Sequence, residues 1–125
     1  MFKVISVIFI CSALTLSANT KALQKEAFKL MNEQVIALES IKNKATAKAA
    51  VKKLELNMKK DKLFLAKLKK ANTTRTKIMN EMMNDSEMGE KVQVMFPRMM
   101  KAIQSIPKDC GMIIGPTIKK LMSKD

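Results

Sequence analysis

The stretch from Thr46 to Met83 constrains the fold most, because apolar residues recur along it at alternating spacings of four and three. Eight of eleven positions on this register are apolar. Such a pattern is typical of the seam along which one helix packs on another. The register comprises Ala47, Val51, Leu54, Met58, Asp61, Leu65, Leu68, Asn72, Arg75, Met79 and Met82.

This register predicts a basic amphipathic helix, or two helices in series divided at Asn72-Thr73-Thr74. Those three residues have low helix propensity and could end a helix, with a threonine capping the next one. The register nevertheless runs through them without a change of phase, which favours one continuous helix. Leu56, Leu63 and Phe64 fall off the register, and they indicate either a second, smaller contact face or an exposed apolar patch.

The remaining faces of this stretch are strongly basic. Between Lys48 and Lys77 the only acidic residues are Glu55 and Asp61. Like charges four residues apart cost a few tenths of a kcal/mol per pair, so the excess does not serve helix stability. Two interpretations remain open: a solvated face that keeps the protein soluble, or an electrostatic surface for an anionic partner. The candidate partner-binding residues are Lys48, Lys52, Lys53, Lys59, Lys60, Lys67, Lys69 and Lys70.

The charge is concentrated in one half of the chain. Residues 19–80 carry 16 basic and 5 acidic side chains, a net +11, whereas residues 81–125 carry 7 and 6, a net +1. Phosphate contacts from such a surface would give salt-dependent, sequence-independent affinity for nucleic acid. The basic stretch has only Phe64 for base stacking and one arginine, so we do not expect nucleic acid as the partner. We expect an anionic component of the cell envelope, which includes the membrane surface, or an acidic protein.

The amino terminus has the pattern of a secretory signal. A lysine at position 3 precedes a largely apolar run from Val4 to Leu16, and the small residues Ser17 and Ala18 follow. The run is short for a membrane span, which needs about 20 residues, although an uncleaved anchor or a buried helix would also fit. We therefore predict a signal peptide over residues 1–18 and a single helical domain over residues 19–125, exported to the periplasm or secreted.

Two further amphipathic segments flank the basic stretch. Residues 21–44 have one apolar stripe and predict a first helix, followed by a short turn and by Thr46 as the cap of the next helix. A third helix is predicted from Glu87 to Ile106, capped by Asp85 or Ser86 and kinked at Pro97. A short connection between long helices favours an antiparallel hairpin. The predicted fold class is all-α: an antiparallel helical hairpin with a third, kinked helix, forming a small helical bundle.

The carboxyl-terminal segment is predicted to be less regular. Pro107 ends the third helix, and residues 108–115 are predicted to form a loop that carries an apolar Met-Ile-Ile segment. Pro116 could occupy the first position of a last short helix that runs to Met122.

The run from Ala37 to Leu54, ALESIKNKATAKAAVKKL, resembles a pattern in short exported bacterial proteins of unknown function. Those proteins have a signal peptide, a helix, a tight turn with Ser or Thr before an Ala-rich start, and a second long helix. The resemblance covers about residues 20–70. It implies a helical hairpin and no functional residues.

The sequence gives little support to catalysis or to a cofactor. It has no histidine, so Ser–His and Cys–His arrangements cannot occur, and its three glycines are too widely spaced for a phosphate-binding loop. Removal of the signal takes Cys11 away and leaves Cys110 alone. Cys110 is then buried, free, or paired between two chains as an intermolecular disulfide in a homodimer. We predict a protein that is not an enzyme and has no cofactor.

Twelve methionines allow two alternative functions. Thioethers are soft ligands that prefer Cu(I), and two groups of methionines are clustered in the sequence: Met79, Met82, Met83 and Met88, and Met95, Met99 and Met100. Methionine is also a flexible core residue, or it can form an adaptable apolar binding surface. The alternatives to an anion-binding module are therefore a periplasmic holdase-like chaperone or assembly factor and a methionine-rich Cu(I)-binding protein. The chain lacks the Leu-Thr-x-x-Gln repeat that one family of such chaperones uses.

Overall fold

A computed structural model describes the backbone of residues 2–123 and the side chains of residues 20–123. Over this range the chain is all-helical, which confirms the predicted all-α class. The predicted signal peptide, residues 1–18, lies outside the residues whose side chains are described. The α-helices are α1 (Phe2–Glu39), α2 (Lys44–Lys70), α3 (Arg75–Asn84), α4 (Ser86–Gln104) and α5 (Gly111–Met122), and a 3-10 turn, Lys108–Cys110, precedes α5.

The turn between α1 and α2 is fixed by a capping box. The Asn43 side chain accepts a hydrogen bond from the Thr46 backbone N–H at 2.9 Å, and the Thr46 hydroxyl accepts one from the Asn43 N–H at 2.9 Å. These two bonds satisfy donors that a helix start leaves without partners. The prediction that Thr46 itself caps the helix is wrong: Asn43 is the cap, and Thr46 completes the box from the third helical position.

The favoured continuity from Thr46 to Met83 is also wrong, and the alternative of two helices in series is the one observed, because the chain breaks between α2 and α3. Asn72 has φ of 55°, in the left-handed region that ends helices and that asparagine tolerates better than most residues. The Thr74 side chain then accepts a hydrogen bond from the Lys77 N–H at 3.2 Å and caps α3. The register could not show this break, because α3 resumes with apolar residues in nearly the same phase.

Helices α3 and α4 meet at a close corner. Asp85 caps α4, as predicted, through hydrogen bonds from the backbone N–H groups of Glu87 and Met88. Gly89 is required here, since a Cβ at this position would lie 2.8 Å from the carbonyl oxygen of Met83. Pro97 lies inside α4, where it cannot donate to the carbonyl of the preceding turn.

The carboxyl-terminal segment is more regular than predicted. Residues 108–115 form the 3-10 turn and the beginning of α5, where a loop was expected. Pro116 lies inside α5 and does not start it. Because the helix begins at Gly111, the proline falls in its second turn.

Two apolar clusters form the core. One joins α1, α2, α4 and α5, and includes Leu38, Leu54 and Ile114. The other joins α1, α2, α3 and α4, and includes Phe64 and Met82. On α2, the buried polar residues Asn57 and Asp61 lie between the two clusters.

Both of these buried polar residues have partners. Asn57 accepts a hydrogen bond from the Gln34 amide at 2.8 Å and donates to the Leu30 carbonyl at 3.0 Å. Asp61 forms an ion pair with Arg75, the first residue of α3, at 2.9 Å. A buried polar contact of this kind can fix the register between two helices.

The buried side of α2 is rotated from the predicted seam. Ala47, Leu54 and Leu68 are buried as predicted, but Phe64, which was placed off the seam, is only 2% exposed. Leu56 and Leu63 lie on the surface, which selects the exposed patch over a second contact face. In the described part of the chain, no helix combines the length and apolar character that a bilayer span requires.

A candidate cationic surface on helix α2

All eight lysines predicted to bind a partner are exposed to solvent on α2. Three of them, Lys52, Lys59 and Lys70, lie on one line along the helix, because their spacings of 7 and 11 residues are close to whole turns. Lys60 and Lys67 lie beside this line. The line faces away from the buried side of α2, so it is directed outward from the bundle.

Two leucines occupy the same outward line. Leu56 lies between Lys52 and Lys59 and is 56% exposed, while Leu63 follows Lys59 and is 67% exposed. The order along the line is Lys52, Leu56, Lys59, Leu63 and Lys70. We call these five residues the outer line of α2; it alternates cationic and apolar side chains at spacings of four, three, four and seven.

The three lysines of the outer line have no acidic side chain within ion-pair distance among residues 20–123. The two lysines beside it do: Lys60 Nζ lies 3.5 Å from Glu33 Oε2, and Lys67 Nζ lies 3.1 Å from Glu26 Oε1. These pairs connect α1 to α2 at the surface, where such contacts contribute about 0–1 kcal/mol each. Lys48, Lys53, Lys62 and Lys69 of α2 are also exposed and outside the ion pairs found among residues 20–123, so what distinguishes the outer line is the alternation of its lysines with exposed leucines.

A groove of about 610 Å³ lies next to the outer line, between α1 and α2. Its floor includes Leu30, and Leu63 of the outer line forms part of its wall. Lys25 and Lys29 of α1 also line it, and they extend the positive surface beyond α2. Neither lysine is among the eight predicted to bind a partner, which all lie on α2. Two ion pairs, Glu33–Lys60 and Glu26–Lys67, show how α1 is aligned with α2. This alignment places Lys25 and Lys29 at the groove.

The other predicted lysines are less closely grouped. Lys48 lies one turn before Lys52, and Lys53 lies on the flank of the outer line. Lys69 lies apart, since it lines a separate hollow beside Thr73 and Thr74 at the connection between α2 and α3. The structure thus brings together most of the eight lysines, and it separates Lys69 from them.

Away from the outer line of α2, an ion pair between Glu39 and Arg98 joins α1 to α4. The Arg98 guanidinium donates two hydrogen bonds to the Glu39 carboxylate, at 2.6 and 3.3 Å. This hydrogen bonding holds the pKa of Glu39 below its usual value and raises the pKa of Arg98. Charge here is internally compensated, so this contact joins helices and does not extend the cationic surface.

Cys110 lies in the core at the end of the 3-10 turn and is fully buried. Burial raises the pKa of its thiol, and the nearby Asp109 carboxylate adds to the effect. A buried, protonated thiol is a poor nucleophile. The intermolecular disulfide stays a prediction, and its formation would require the turn to move away from the core.

The methionines proposed as copper ligands occupy different environments. Met82 is fully buried in the core, whereas the adjacent Met83 is exposed. Met79 is partly buried against the same core cluster as Met82. Met95 is also buried, while Met100, Met112 and Met122 are exposed. The methionines therefore divide between core packing and the surface.

No protein-family model, no curated protein and no solved structure matches this chain.

Proposed function

We propose that this protein is an exported, non-enzymatic binding module whose lysine-rich α2 surface engages an anionic surface or an acidic partner. The observation that carries the proposal is the outer line of α2. Three lysines there have no acidic neighbour within ion-pair distance in the described chain, while the bundle packs on the opposite side of the helix. Surface charge of one sign attracts partners of the other sign and raises their association rate.

The proposed binding module has a particular helix arrangement and is exported from the cytoplasm. Helices α1 and α2 act as an antiparallel hairpin, and α4, with Pro97 inside it, acts as a third, kinked helix that supports the hairpin. Residues 1–18 act as a signal peptide, on the basis of their sequence pattern. Amino-terminal sequencing of the protein recovered outside the cytoplasm tests this part, and an intact Met1 there would contradict cleavage.

The salt dependence of binding separates this function from its alternative. The protein should bind a sulfated polysaccharide or vesicles with anionic phospholipid, and its affinity should fall more than about tenfold between low and physiological salt. Neutral vesicles serve as the control and should bind it far more weakly. Retention on anionic supports that is insensitive to salt would contradict an electrostatic surface.

A holdase-like activity is the second candidate, and exposed apolar side chains favour it. Phe96 and Met100 on α4, and Met112 and Met122 on α5, are all exposed in the described structure. Flexible methionines can adapt to varied apolar segments of other proteins. Suppression of aggregation of an unfolded client that persists at high salt would favour this function over the electrostatic one.

A further inference from the structure

We infer that the anionic partner of the proposed α2 surface is a phospholipid bilayer, on which α2 lies in the plane of the head groups with Leu56 and Leu63 inserted. This inference rests on the proposed function and names the class of its ligand. It depends on the alternation of lysine and leucine along the outer line of α2.

The two leucines distinguish a bilayer from a purely polar polyanion. Leu56 and Leu63 are the large apolar side chains on the outward side of α2, and both are more than half exposed. A polysaccharide or a phosphate polymer offers no apolar phase to cover them. A bilayer interface offers the head groups to lysine and the acyl boundary to leucine within a few ångströms of each other.

Lysine suits this arrangement because of its long side chain. The methylene groups of Lys52, Lys59 and Lys70 can cover apolar surface while the ammonium groups reach up to the phosphates. The line from Lys52 to Lys70 extends for ~27 Å at 1.5 Å per residue, long enough to contact several lipid head groups. Lys25 and Lys29 at the neighbouring groove add positive charge on the same side.

Charge also argues against a second copy of this chain as the occupant. If two α2 helices met through their outer lines, the lysines of each would approach those of the other. Like charges placed opposite each other at an interface are unfavourable. An anionic bilayer covers the same leucines and neutralises the same lysines.

The test uses vesicles of phosphatidylcholine with phosphatidylglycerol, pure phosphatidylcholine vesicles, and two soluble polyanions, heparin and polyglutamate. Leu56 and Leu63 are changed together to Gln. Because both side chains are exposed, we expect the variant to fold, which circular dichroism checks. The matched control is the pair Val94→Gln and Met112→Gln, which removes two exposed apolar side chains from α4 and α5.

Co-sedimentation of the natural chain should show binding to the anionic vesicles and little binding to neutral ones. The leucine pair should weaken binding to anionic vesicles about tenfold or more. The control pair should leave vesicle binding unchanged, and the leucine pair should leave polyanion binding unchanged.

Other outcomes overturn the inference in distinguishable ways. Binding to heparin or polyglutamate without binding to anionic vesicles would reject the bilayer and retain the cationic surface. Equal vesicle binding by the leucine variant and the natural chain would reject insertion, and an equal loss in the control pair would reject this location. Failure to bind any of the anionic probes would reject both this inference and the proposed function.

Discussion

Replacing Phe64 with alanine should lower the free energy of unfolding by about 3–5 kcal/mol, because it leaves a cavity in the core cluster between α1, α2, α3 and α4. Phe64 is 2% exposed and is among the largest fully buried side chains. For a domain of this size the loss is a large fraction of the total stability, which is typically about 5–15 kcal/mol. Urea denaturation followed by circular dichroism measures it.

The neighbouring residue supplies the control for this experiment. Leu63→Ala removes a side chain that is 67% exposed, so the free energy of unfolding should change by less than about 0.5 kcal/mol. The two residues are adjacent on α2, and helix propensity changes in the same direction for both. Similar losses at Phe64 and Leu63 would show that α2 packs through a different face.

Replacing Arg75 with alanine should lower the free energy of unfolding by about 2–4 kcal/mol, because it removes the guanidinium that faces the buried Asp61 carboxylate. The expected loss is below that for a fully buried pair, since the Arg75 side chain is 38% exposed and water can enter. Loss of this contact should also loosen the attachment of α3 to α2.

A double-mutant cycle tests this pair directly. In an Asp61→Asn background, Arg75→Ala should cost much less, because the buried charge that the guanidinium compensates is already gone. The Nε atom of Arg75 is buried without a hydrogen-bond partner in the described structure, so part of the pair's benefit is offset by that donor. Additive losses from the two changes would contradict a stabilising ion pair.

The helical class of this protein could be predicted from periodicity, and so could the break at Asp85. Asp85 caps α4 through the backbone N–H groups of Glu87 and Met88, which are two and three residues away. A contact between such close residues can be predicted from the sequence without knowledge of the rest of the fold. The break at Asn72 was one of two alternatives that the sequence left open, because the low helix propensity of residues 72–74 favours a break whereas the apolar register continues across it. In the structure, the left-handed backbone at Asn72 and the extended backbone at Thr74 interrupt the helix and redirect the chain.

Which face of α2 is buried also could not be predicted in full from the sequence. The predicted register used apolar character alone, so it treated Asp61 as an exception and excluded Phe64. In the structure the buried face includes both Asp61 and Asn57, because α3 provides Arg75 and α1 provides Gln34. Polar residues can join a core when partners from distant segments satisfy them, and a single segment does not reveal those partners.

The sequence predicted which lysines lie on the basic helix, but not which of them are ion-paired with α1. The distribution of charged residues along the chain placed the excess positive charge in residues 19–80. The packing of α1 on α2 determines which of those lysines form ion pairs with glutamates of α1. The contacts of Glu33 with Lys60 and of Glu26 with Lys67 leave Lys52, Lys59 and Lys70 as the outward positive charges on one line. Their alternation with two leucines becomes informative only when the buried side of α2 is known.

The most direct test of the cationic surface compares two triple variants that remove the same net charge. One changes Lys52, Lys59 and Lys70 to Gln, and the other changes Lys91, Lys108 and Lys120, which are exposed lysines in the carboxyl-terminal half. At about 1 kcal/mol per lysine near an anionic surface, the first variant should bind anionic vesicles on the order of 100-fold more weakly than the natural chain. The second should bind within about threefold of the natural chain, because its lysines lie outside α2. Equal losses in the two variants would show that net charge, and not the outer line of α2, determines binding.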